Sequence, residues 1–165
     1  KFPNANPRQI KQGMLYTYEY DFYKDYDEEI LKYFDERPLA LMLSYWPQKD
    51  LWLGLNFHFI PVLNRAAFIK KLAGMNTLAF KGDGAKKVKV NYLTIQGIMR
   101  KSKYCVRLYR PEAMSNMRII PNKEWINTSQ YAPPTYYEVN IDAVMKRHKS
   151  YPMPPAPTNK PDDKF

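Results

Sequence analysis

The sequence predicts an α+β fold: a small antiparallel sheet packed against a core helix, with extended N- and C-terminal arms. Three observations predict it. Residues 51–74 pass from a two-residue apolar period to a helical one without losing apolar content. Residues 14–23 and 39–46 have the composition and alternation of strands. The strand and helix segments are segregated along the chain rather than alternating, as in antiparallel α+β domains.

Taken in order, residues 1–13 are polar, hold two prolines and have no periodicity. They read as an arm, ordered only where something holds it. In 14–23, Leu15, Thr17, Glu19 and Asp21 alternate with Tyr16, Tyr18, Tyr20 and Phe22, which predicts a strand with one aromatic face. The acidic stretch 24–37 contains a short helix candidate at 28–34 that Pro38 ends. A second strand at 39–46 turns through 47–50 into a third, and the short connection makes them an antiparallel hairpin.

In the third strand Leu51, Leu53, Leu55 and Phe57 share a face. Gly54 marks a bulge or a close backbone approach. Pro61 suits the first turn of a helix. That helix carries Val62, Ala66, Ile69 and Leu72 on one face with Phe68 beside them, and Gly74 is placed to close it in the left-handed conformation. The core expected from this pattern is Leu53, Gly54, Leu55, Phe57, Pro61, Ile69 and Trp125.

Beyond it, 81–84 reads as a loop, and 88–100 as a helix or a strand opening into one. Residues 103–110 favour strand, and 122–127 form one helical turn that places Trp125 on the core. A helix is expected at 141–148. The domain therefore spans 14–150, and 151–165, with five prolines among polar residues, is a C-terminal arm.

Several functions are disfavoured. One cysteine, Cys105, permits no internal disulfide, and with only His58 and His148 besides, a Cys/His zinc site is not expected. No apolar run is long enough to cross a membrane, so no membrane partner is expected. No cofactor motif is present; Gly82-Asp83-Gly84 lacks the spacing and lysine–hydroxyl pair of a phosphate loop. The acids at 25–29 read as a solvated loop rather than a metal site. His58, at the end of an apolar strand, reads as a hydrogen-bonded core-edge histidine, with Asp35 as its candidate partner in space. No enzymatic activity is expected.

The net charge of +10 is unevenly spread. Between Arg65 and Arg110 the only acid is Asp83. Lys86, Lys87, Lys89, Arg100, Lys101 and Lys103 are the candidate phosphate contacts, with Tyr92, Tyr104 and Tyr109 interleaved for stacking. A solvated face, an acidic protein partner and nucleic acid all remain open.

The segments Tyr33-Phe34-Asp35, Pro38-Leu39, Gly54-Leu55-Asn56-Phe57-His58 with Arg65, and Ile120-Pro121 with Glu124-Trp125 resemble a group of short proteins from T4-like tailed phages. Phe59-Ile60-Pro61 stands where that pattern has leucine–proline, and the 81–89 insertion and proline-rich tail are this chain's own. The resemblance implies a virion or virion-assembly protein, such as a baseplate or neck component. The expectation is a non-enzymatic structural adaptor of a tailed-phage virion (baseplate, tail or neck), in a symmetric multi-copy assembly. It would grip other virion proteins through Tyr16, Tyr18, Tyr20, Tyr151 and Phe165. The alternative is a phage nucleic-acid-binding protein acting in DNA replication or packaging through residues 65–110.

Overall fold

The computed structural model describes residues 2–21, 35–100 and 105–131. Five strands form one antiparallel sheet: β1 Leu15–Tyr20, β2 Leu39–Trp46, β3 Leu51–Asn56, β4 Val106–Tyr109 and β5 Met114–Ile119, in the spatial order β4-β3-β2-β1-β5. The helices are α1 Val62–Met75, α2 Tyr92–Met99 and α3 Trp125–Tyr131. This is the α+β architecture that the apolar periods predict. The expected features at 22–34, at 101–104 and beyond 131 lie outside the described residues.

β2 is central, and side chains on both of its faces are buried. Leu39, Leu41 and Leu43 join Leu15, Leu53, Leu55, Phe57, Ile69, Leu72 and Trp125 on one side; Ala40 and Met42 join Tyr16, Tyr18, Tyr20, Trp52 and Tyr109 on the other. A strand covered on both faces reads as a continuous apolar run, which is why 39–43 shows no polar residue. Gly54 makes the close approach expected of it. A Cβ there would lie 3.1 Å from the Tyr109 ring, and the β2–β3 register shifts between Met42 and Ser44, beside its partner Met42.

Three expectations about α1 need correction. Pro61 is exposed and stands just outside the helix as its N-cap residue, so it shapes the entry to the core without belonging to it. Val62 is 43% exposed, and Arg65 takes its place on the buried face with Phe68, Ile69 and Leu72. The helix runs through Gly74 to Met75 and ends at Asn76, whose side-chain amide donates to the Leu72 carbonyl at 2.9 Å. An asparagine thus satisfies the terminal carbonyl that a left-handed glycine would otherwise serve.

The N-terminal segment is held to the domain. Ala5 N–H donates to Met117 O (2.9 Å), Ile119 N–H to Pro3 O (3.0 Å) and Gly13 N–H to Met42 O (2.7 Å). Ala5 and Ile10 pack against the tyrosine face. That cover changes the meaning of the tyrosines. Tyr16, Tyr18 and Tyr20 are only 2–4% exposed, so they cannot be the partner-gripping surface expected of them. The rings of Tyr18, Tyr20 and Tyr109 pack edge to face, with centroids 5.2–6.1 Å apart. Tyr109 is likewise unavailable for stacking on a base.

Candidate nucleic-acid interface

The lysines at 86–89 are carried by a pinned backbone. Val88 and Val90 are buried, so Lys87 and Lys89, which alternate with them, are driven outward. Two asparagine side chains hold the ribbon at either end. Asn122 accepts from Lys86 N–H (2.7 Å) and donates to Lys86 O (3.0 Å). Asn76 accepts from Lys89 N–H (2.7 Å) and donates to Lys89 O (2.9 Å). Between them Val88 N–H donates to Gly13 O at 2.9 Å. Each asparagine supplies both the donor and the acceptor that an irregular backbone segment lacks.

Lys86, Lys87 and Lys89 are exposed, as are Lys70 and Lys71 on α1 and Arg100 at the C-cap of α2. Among the described residues no carboxylate pairs with any of these six. Asp83, the one acid in the 65–110 stretch, pairs instead with Lys123 at 3.0 Å. The positive surface is therefore not neutralised from within the described chain. Lys101, Lys103, Tyr151 and Phe165 lie outside the described residues. Not every cation of the stretch belongs to this surface: Arg65 is buried, and the Arg107 guanidinium lies 5.5 Å over the Phe59 ring.

The GLNFH segment makes a buried polar knot. The Asp35 carboxylate accepts from Arg37 N–H (2.9 Å), the Asn56 amide (3.2 Å) and His58 Nδ1. Three donors converge on this carboxylate, which places the histidine proton on Nδ1. Asn56 Oδ1 in turn accepts from His58 N–H at 3.0 Å. Arg65 donates to Ile60 O (2.7 Å), Ser129 O (2.8 Å) and His58 O (3.1 Å). Trp125 Nε1 donates to Ile120 O (3.0 Å). The side chains of His58 and Asp35 are each 1% exposed, so both are closed off from solvent. The pairing of Asp35 with His58 and the core-edge role of His58 are as the sequence suggested.

Cys105 is buried, and burial pushes its thiol up to about 12, so it stays protonated near neutral pH. Among the described residues no three His, Cys, Asp or Glu side chains are grouped to hold a metal ion, and no helix is long and apolar enough to cross a membrane.

The clamps Asn76 and Asn122 escape sequence reasoning. Their partners lie 13 and 36 residues away, and an isolated asparagine carries no local signal of such a bond.

These features define a small basic α+β domain with a buried, hydrogen-bonded polar knot and exposed lysines. The chain belongs to the family described as the phage T4 terminal DNA protecting protein, whose family model matches residues 5–143. Comparison with curated proteins and with solved structures finds no match. Membership agrees with the resemblance to T4-like phage proteins and overturns the role inferred from it. The family is described by protection of terminal DNA, not by a baseplate, tail or neck structure, and Tyr16, Tyr18 and Tyr20, invoked for an adaptor, are interior.

Proposed function

We propose that this chain binds the ends of linear double-stranded DNA and shields them by occupancy, without chemistry of its own. The observation that carries the reading is the set of exposed cations Lys70, Lys71, Lys86, Lys87, Lys89 and Arg100, none of them paired with a carboxylate among the described residues. Exposed lysines on a pinned backbone can neutralise phosphates at little further ordering cost to the main chain. The family description supports the choice of DNA over an acidic protein, and of its ends over its length. The buried ionisable groups suit a purely steric role, because Asp35, His58 and Arg65 are occupied in holding the fold. The site of action is wherever linear phage DNA has ends, the virion included.

The test is digestion of an end-labelled linear duplex by a processive exonuclease. The protein should slow digestion, and the protection should fade as salt rises. Lys87→Glu combined with Lys89→Glu should weaken binding and reduce the slope of log K against log salt by roughly 2, at about 0.9 per phosphate contact. Equal digestion with and without the wild-type protein ends the proposal.

A further inference from the structure

We infer that the groove between α1 and α2 receives the terminal nucleotide of a DNA end, unstacked from the duplex. The inference rests on the DNA-end reading and names the part of the end that is held. The groove is lined by one stripe of α1, Asn64, Phe68 and Lys71, facing Thr94, Gly97 and Ile98 of α2. Its volume is about 250 Å³ and it opens to solvent. That lies just below the ~300–1,000 Å³ of ordinary ligand pockets, and suits one planar ring system rather than a strand.

The lining matches a nucleotide in four respects. Phe68 and Ile98, 6% and 8% exposed, show their outer edges at the floor of the groove and make it apolar there. The Asn64 carboxamide has no hydrogen-bond partner among the described residues, so its donor and acceptor are both open to a base edge. Thr94 Oγ1 donates to Asn91 Oδ1 at 2.8 Å, which leaves its own oxygen as an acceptor. Lys71, exposed on the same stripe, supplies the cation for the attached phosphate. Leu63 and Leu93, 91% and 76% exposed, precede Asn64 and Thr94 in the first turns of the two helices, where an apolar surface could meet the last base pair.

The arrangement also explains how an end could be told from an interior. Extracting an internal base breaks its pair and two stacks, whereas a terminal base has a stack on one side only, so the penalty is smallest at the terminus. A pocket for one unstacked base is thereby a detector of ends.

Gly97 makes the test clean. A Cβ built there meets nothing within 4 Å, and its backbone is ordinary helix. Gly97→Leu should fill the groove while favouring the helix. The experiment measures binding of the full chain to a linear duplex and to the same duplex closed by hairpins at both ends, with 2-aminopurine at the terminal or an internal position. Wild type should prefer the open duplex and brighten the terminal probe alone. Gly97→Leu should bind the closed duplex as wild type does, lose the preference by roughly tenfold, the scale of one stacked base, and leave the probe dark. Asn64→Asp, which places a carboxylate at the base edge on a half-buried site, should do the same. Retained end preference and brightening in both variants overturn the groove while leaving end binding standing. A wild-type protein with no end preference overturns both.

Discussion

At the residue scale, the GLNFH stretch and its distant partners serve the fold. Asp35, Asn56, His58 and Arg65 come from four separated positions, and their hydrogen bonds tie the end of β3 to α1, to the start of β2 and to Ser129 in α3. Buried polar groups of this kind are tolerated because they are hydrogen-bonded. The apolar neighbours should behave as ordinary core. Leu55 is fully buried, so Leu55→Ala should lower stability by about 2–5 kcal/mol in a thermal or denaturant melt. Gly13 has a different reason for its identity. Its φ is +81°, and a Cβ there would run into the Val88 carbonyl oxygen. Gly13→Ala should destabilise by about 1–3 kcal/mol, from strain that a melt would report.

At the element scale, the tyrosines of β1 form a second core. Tyr20 Oη accepts from Arg110 N–H at 2.8 Å, and Tyr16 Oη from Lys11 N–H at 3.0 Å. Tyr18 Oη is buried without a partner among the described residues. Removing these hydroxyls should therefore have unequal effects. Tyr18→Phe should leave stability unchanged or raise it, while Tyr20→Phe should cost about 1 kcal/mol by removing the hydrogen bond from Arg110 N–H. Equal losses in urea titrations of the two variants would refute the distinction. The segment that covers these rings, residues 2–13, belongs to the same element-scale unit, because its backbone bonds to β5 and β2. Sequence reading has no way to see that cover. Alternation shows that the tyrosines share a face, but a face that meets solvent and one that meets a polar, aperiodic segment have the same period.

At the scale of the whole molecule, two electrostatic properties follow. On the proposed DNA reading the exposed lysines should give an affinity that weakens with salt, while the interior sets an alkaline limit on stability. Burial raises the Tyr18 hydroxyl well above its ordinary value and the Cys105 thiol to about 12. Both groups are acids that ionise more readily in the unfolded chain. Their contribution is full below the unfolded values, about 8.5 for the thiol and about 10 for tyrosine, and is lost as pH rises above them. Denaturation midpoints should fall progressively above about pH 8.5. Cys105→Ala should flatten the first part of that fall, and an unchanged profile in this variant would place the loss elsewhere.

The sequence by itself determined the strands at 14–23, 39–46 and 51–57, the helix behind Pro61 and where the positive charge accumulates, while it left 88–100 open between helix and strand and gave no sign of β5 at Met114–Ile119. Each feature it determined depends on neighbours within a few residues, through the periods of two and 3.6, and on simple charge counting. Phe57, Trp125 and the His58–Asp35 pair were legible in the sequence, but tertiary structure alone decided that Arg65 and the tyrosines of β1 are interior. Arg65 displaces Val62 from the buried face of α1 because its guanidinium finds three carbonyl oxygens, one of them 64 residues away. The tyrosines go inside because residues 2–13 lie over them, and Lys86 and Lys89 are presented on a fixed ribbon because Asn122 and Asn76 hold its backbone. The same rule governs all three outcomes: a polar or aromatic side chain is buried only where long-range partners satisfy or cover it, and those partners are brought together by the fold.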